Sequence, residues 1–469
     1  MQLSIKNLSI DTLIYGFGNV FTRLITFLLL PLYTNILTPS EYGIITIIYV
    51  FMGFMNIIYH YGLDSSFLKY YAKEKNIKNQ KTIFSTAFFL NLFSSIILSL
   101  LIFLFSKQLS FFFFKDQTYQ ELFNITSSIL FLDSLSHIPF ALLRIQKKPF
   151  IFISLKLINV CITLFFNIYF LIIEKIGIEG VFYSVLIASI TSFLFIIIAS
   201  FKSFKIILKL DYIKKFLKFG LPFLPAGIAS ITMESIDRYI LSIMTNNDIV
   251  GIYTAGYKLG IFMLIFSTAF NYAWQPFFLN SKENNETRKL FSKIFTFYIS
   301  IAIMIWLTIS FFLKEVITIQ IFEFSLLGKA YVESIHFVPI ILLSYIFQGA
   351  YYNFLPGIYY KEKTKIIPSI IIFSAIINIF TNILLIPVYG MIGSAIATLF
   401  GHLSMAVLTY FYSKKLFSIK YEWFKVFVIF FISSLLIIFS QLFFMSLAVK
   451  TLICIIFYLF IFKSKMISF

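Results

Sequence analysis

Ionisable side chains set inside long apolar runs are the residues of this sequence whose types and spacing point to chemistry. A charge in hydrocarbon is costly, so such a residue normally faces a bundle interior or a water-filled cavity and is a functional candidate. Arg23 lies about eleven residues from either end of the apolar run over 12–34. At about 1.5 Å per residue that is near a membrane midplane, too deep to reach an interface easily. Glu234, Asp237 and Arg238 fall at i, i+3 and i+4 of the run over 217–244, on one helical face, with Glu234 spaced to pair with Arg238. Lys258, Lys156 and the couple Asp133 and His137, four apart, sit in three further runs, and Asp64 lies near the end of another.

Each candidate also has a plainer structural reading. Arg23 can serve only to bridge helices, and Lys156, some seven residues inside its run, is placed either to snorkel or to line a cavity. Lys450 is read as a snorkeller, Glu234 with Arg238 as either a working or a structural ion pair, and Asp64 as a cap or a partner of Lys69. His60, His336 and His402 are read as packing residues rather than proton carriers. What remains is a cationic set, Arg23, Arg238, Lys258 and Lys156, drawn from both halves of the chain. Several buried positive charges call for an anion during a working cycle. The pyrophosphate of a lipid-linked sugar is such a group, and guanidinium forks suit its oxygens.

The elements that must position these residues are membrane spans. Of 469 residues, 60% are hydrophobic and 12% charged, far from a soluble domain's balance. Runs long enough to cross roughly 30 Å of hydrocarbon recur from end to end. They predict fourteen helical spans, over 12–34, 43–68, 82–106, 120–144, 150–173, 176–200, 217–244, 250–276, 290–313, 333–359, 366–386, 389–412, 423–441 and 443–462. Alternate loops and the two ends hold 28 basic residues, and the opposite face holds five. That asymmetry puts both termini in the cytoplasm and explains the net charge of +18 without nucleic acid. Cys161 and Cys454 lie inside apolar runs, so no disulfide framework is expected, and the stretch Met1 to Asp11 lacks the layout of a cleaved signal peptide. A phosphate-binding glycine loop, a metal-ligand cluster and a supported Cys/His or Ser/His arrangement are all missing, so no cofactor, ATP-driven pump or enzyme is expected.

The chain also repeats itself. Glu41 to Tyr49 aligns with Ile249 to Tyr257 at an offset of 208, with Gly43 and Gly251 in register, and Gly177-Ile-Glu-Gly180 aligns with Gly390-Met-Ile-Gly393 at 213. Six spans per half make the halves parallel repeats with a cavity between two bundles. The expected fold is all-α: a six-helix lobe over 1–200, a cytoplasmic linker over 201–216, a second six-helix lobe over 217–412 and a two-helix hairpin over 413–469.

The stretch Thr22-Arg-Leu-Ile-Thr-Phe-Leu-Leu-Leu-Pro-Leu-Tyr-Thr with Leu37-Thr-Pro-Ser-Glu-Tyr-Gly43 resembles the opening of bacterial polysaccharide biosynthesis proteins of the oligosaccharide flippase type. Asp237-Arg-Tyr-Ile-Leu, Val250 to Lys258, Trp274-Gln-Pro-Phe277 and Gly390-Met-Ile-Gly393 resemble their second lobe. The resemblance implies a two-lobed carrier of the multidrug, oligosaccharidyl-lipid and polysaccharide exporter superfamily in a bacterial inner membrane. Such proteins move undecaprenyl-pyrophosphate-linked oligosaccharide to the outer leaflet by alternating access, often coupled to H+ or Na+, for capsule or O-antigen. Arg23, Asp237, Arg238 and Lys258 match family-like positions, while Lys156, Asp133 and Glu234 rest on burial. Asp64, Asp133, Glu234 and Asp237 are all candidates for the coupling ion. Expected partners are the lipid-linked substrate, membrane lipids, a polysaccharide polymerase and chain-length proteins. The alternatives are a drug exporter of the same superfamily, disfavoured by a cationic cavity, and a non-transporting envelope scaffold.

Overall fold

The computed structural model describes residues 22–321, 323–443 and 445–463. Residues 12–21 of the first expected span, Lys6 and Lys465 fall outside the described residues. The chain forms two compact units, Met1–Gly251 and Ile252–Phe469. After helical residues 22–27, the first unit contains α1 Leu29–Ile36, α2 Pro39–His60, α3 Leu63–Lys73, α4 Ile77–Leu104, α5 Ser106–Phe114 and α6 Gln120–Ile145. It continues with α7 Pro149–Ile168, α8 Ile178–Ser200, α9 Leu210–Gly220 and α10 Leu224–Met244. Helix α11, Asn247–Leu259, runs over the boundary. The second unit then has α12 Ile261–Leu279, α13 Asn285–Ile317, α14 Val338–Phe354, α15 Pro356–Tyr360, α16 Ile366–Leu416, α17 Trp423–Leu442 and α18 Leu447–Lys463. A single two-residue hairpin, Gln320–Ile321 with Phe324–Ser325, is the sheet among the described residues.

Among the described residues ten helices are long and apolar enough to cross a membrane, and α11 with α12, bent by 46°, makes an eleventh. Gly390 (φ 54°, ψ −127°) breaks the 51-residue α16 into two arms, close to the boundary expected between two spans. Helix α18, 17 residues long, and the helical residues 22–34 fall within the last and the first of the expected spans. Phe67, Phe84 and Phe123 fill the interior while Phe150, Phe165 and Phe424 face outward, so the abundant phenylalanine serves both as packing bulk and as lipid-facing surface.

Local chemistry sets where the helices begin. The Thr38 hydroxyl accepts from the Glu41 amide, the Glu41 carboxylate accepts from the Thr38 amide, and Pro39 opens α2 with its φ already fixed. Helix α2 stops where Tyr61 and Gly62 turn left-handed, and α3 starts immediately after. Between helices, short polar bonds take over where lipid supplies no hydrophobic drive. Asn91 donates to the Ser134 carbonyl at 2.7 Å and the hydroxyls of Ser95 and Ser134 meet at 2.9 Å, joining α4 to α6. In the second unit Trp306 donates to the Pro339 carbonyl at 2.8 Å, joining α13 to α14.

The repeat seen in the sequence has a structural counterpart. A Cβ at Gly43 would lie 1.9 Å from the Asn247 carbonyl oxygen, and a Cβ at Gly251 would lie 2.0 Å from the Pro39 carbonyl oxygen. Asn247 follows Pro39, and Gly251 follows Gly43, by the same 208 residues, so the contact between the starts of α2 and α11 is its own image under the repeat. Gly177 (φ 82°) and Gly390 (φ 54°) likewise supply one left-handed corner each, which only glycine adopts without strain.

The last two helices attach to α13. The Lys450 ammonium meets Glu315 at 2.7 Å and the Tyr458 hydroxyl donates to the Met304 carbonyl at 3.0 Å. Lys450, expected to snorkel, is buried at 7% exposure and reaches Glu315 near the end of α13 as an ion pair. Just before α17, Glu422 accepts from Thr296 and Lys425. Burial opposes ionisation there, yet those two partners hold its carboxyl below the ordinary value.

Candidate functional site

Four helices of the first unit enclose a polar cavity of about 460 Å³. Helix α6 lines it with Asp133, Ser136, His137, Phe140, Ala141 and Arg144, a stripe at alternating spacings of three, one and three residues that is one face of a helix. Helix α7 contributes Phe152, Lys156 and Asn159, α8 contributes Val185, Ser189 and Ser192, and α2 contributes Asn56 and His60. Spacings of three, four or seven residues on each helix bring every polar group to the same side.

The groups are held rather than loose. The Ser189 hydroxyl donates to Asp133 at 2.7 Å, and Asn159 donates to Ser192 at 2.9 Å, so α8 fixes one polar group on α6 and one on α7. The Lys156 ammonium stands 4.6 Å from the centre of the Phe140 ring, a cation–π contact, and has no ion pair among the described residues. His60 and His137 stack face to face, ring centroids 3.6 Å apart and 3° from parallel, with His60 Nε2 buried and unbonded among the described residues. Two cations, Lys156 and Arg144, thus share one chamber with one carboxylate and a pair of imidazoles.

Of the candidates singled out in the sequence, the structure brings Asp133, His137 and Lys156 into this chamber. Asp64 opens α3, four residues beyond His60 and within its electrostatic reach, and Lys69 lies 3.5 Å over the Phe219 ring instead of pairing with it. Arg238 pairs with Asp237 at 2.9 Å, both buried, whereas Glu234 is exposed and offers Arg238 its backbone carbonyl. The expected Glu234–Arg238 pair is therefore corrected: the i,i+4 rule selects neighbours on a helix surface, but here the adjacent carboxylate folds back onto the guanidinium. Arg23 is partly buried, its Nη1 unbonded among the described residues. Lys258, partly buried, belongs to the second unit.

Sequence reasoning missed Arg144, assigned to a loop, and the stacking of His60 on His137. The α6 stripe was visible in the spacing of Asp133, Ser136, His137 and Arg144; the meeting of α2 with α6 was not. Among the described residues no cluster of three or more potential metal ligands exists.

This fold occurs in solved structures. A lipid II flippase, MurJ, in an inward closed conformation matches with a TM-score of 0.73 at 16% identity, over 97% of this chain and 99% of that one. An inward-facing multidrug resistance MATE transporter of the MOP superfamily matches with a TM-score of 0.66 at 12% identity, over 87% and 98%. A MOP superfamily transporter from Pyrococcus furiosus, whose binding pocket is described as reversed in polarity, matches with a TM-score of 0.57 at 16% identity, over 88% and 95%. No curated protein sequence matches. Residues 32–336 match the family described as polysaccharide biosynthesis protein, well over half of the chain, and the chain therefore belongs to that family.

Proposed function

We propose that this protein is a flippase that carries a pyrophosphate-linked oligosaccharide across a bacterial inner membrane by alternating access, driven by an ion gradient. Membership of the polysaccharide biosynthesis family and the fold shared with a lipid II flippase support the class. The observation that carries the reading is the chamber in which Lys156 and Arg144 outnumber Asp133. A phosphate needs fixed cations, and guanidinium and ammonium groups supply them without a metal. The lipid tail stays in the bilayer while serine and asparagine hydroxyl and amide groups meet sugar hydroxyls. Asp133, with the stacked histidines, exchanges the coupling ion. Arg23 and Lys258 offer further phosphate contacts; Arg238 is held by Asp237 until the anion competes for it.

An exporter of cationic drugs would place its excess charge the other way. The test is transfer of a fluorescent polyprenyl-pyrophosphate oligosaccharide in proteoliposomes. Lys156→Met lowers the rate at least about tenfold, the worth of one charge-assisted hydrogen bond, while Lys156→Arg keeps most of it. An unchanged rate in Lys156→Met overturns the assignment.

A further inference from the structure

A second polar cavity, of about 410 Å³, lies in the second unit where the C-terminal hairpin meets α13. Its charged lining is Lys314, Glu315 and Lys450, with Ser440, Gln441 and Ser446 beside them. All of these stand within a turn of a helix end or in the turn between: Lys314 and Glu315 just before α13 ends at Ile317, Gln441 beside the end of α17, and Lys450 three residues into α18. One turn is about 5 Å, which sets the cavity at headgroup depth rather than in hydrocarbon.

The charges are unevenly satisfied. Lys450 is buried and bound to Glu315 Oε1 at 2.7 Å. The second oxygen, Oε2, is buried and has no hydrogen-bond partner among the described residues. A carboxylate oxygen in that position demands a donor, and leaving it without one is expensive. Lys314, exposed at the cavity and without an ion pair among the described residues, is available to an anion.

We infer that this cavity binds the headgroup of a membrane phospholipid carrying a primary amine. Its phosphodiester meets Lys314 and its ammonium donates to Glu315, whose part-exposed carboxylate turns to bring the enclosed Oε2 to the headgroup. A phosphoethanolamine group serves both residues at once. Phosphocholine has the phosphate and a cation but no N–H, and phosphoglycerol has only a neutral hydroxyl to offer. The site gives the hairpin a purpose: with Glu315 held by Lys450, the bound lipid joins α13, α17 and α18 at one level of the membrane.

The full-length protein in detergent, titrated with phosphatidylethanolamine, phosphatidylglycerol or phosphatidylcholine of identical chains and read by native mass spectrometry, tests this directly. Phosphatidylethanolamine binds about tenfold tighter than the other two, one hydrogen bond to a charged group. Lys314→Gln weakens its binding. The double variant Glu315→Leu with Lys450→Met, which removes the pair without stranding a buried charge, loses the preference while keeping its thermal unfolding. Equal or tighter binding of phosphatidylglycerol or phosphatidylcholine, or a preference that survives the double variant, overturns the proposal.

Discussion

Lys156 lies on a face of α7 that also carries Phe152 and Asn159, which is why burial arithmetic alone could place it as readily in a cavity as at a snorkelling end. The structure decides by giving its ammonium the Phe140 ring and an open chamber. The histidines were less legible. His137 showed its i+4 relation to Asp133, but nothing in a sequence says that the His60 ring, on another helix, comes to rest 3.6 Å from it. That distance has a consequence, because two imidazolium charges so close repel by about 5 kcal/mol at an effective dielectric near 20. The charged groups facing the pair are Lys156 and Arg144, with Asp133 on the same wall and Asp64 at the start of α3. Replacing His60 and His137 together with glutamine is expected to remove the response of transport to an imposed pH gradient while substrate still binds. A response equal to that of the wild type excludes the pair as the proton carrier.

Among the elements, the breaks were more legible than the contacts. Gly177 and Gly390 stood out because they recur in matching order, and both prove to be left-handed corners. A Cβ at Gly390 meets nothing within 4 Å, so Gly390→Ala costs only backbone strain, about 1–3 kcal/mol. At Gly393 the Leu385 carbonyl would lie 2.4 Å away, so Gly393→Ala is expected to lower thermal stability more than Gly390→Ala. Gly43 and Gly251 allow a sharper comparison. Their contacts are images of each other, at 1.9 and 2.0 Å from a carbonyl oxygen. Alanine at either one must push α2 and α11 apart, at about 1–3 kcal/mol. The two variants are expected to lose the same stability within error in a melt monitored by tryptophan fluorescence, and clearly unequal losses contradict the equivalence. The sequence alignment found this repeat, but a register of matching residues does not show that the two copies touch.

For the whole molecule, hydropathy and loop charge revealed the spans because each helix must satisfy its own backbone in lipid, which leaves a long apolar run for every crossing. Single charges misled where pairing was decided by three-dimensional packing: Arg238 chose Asp237, and Lys450 found Glu315 on α13. The proposed orientation follows from the basic loops and is open to labelling. With Cys161 and Cys454 replaced by alanine, Asn76→Cys and Lys282→Cys are expected to react with an impermeant maleimide from one side and Thr118→Cys from the other. The central claim concerns what crosses. Proteoliposomes holding the purified chain should expose a fluorescent polyprenyl-pyrophosphate oligosaccharide to an external quencher on imposing an ion gradient, and should leave a lipophilic cationic dye unmoved. Movement of the dye with no movement of the glycan lipid would contradict the account.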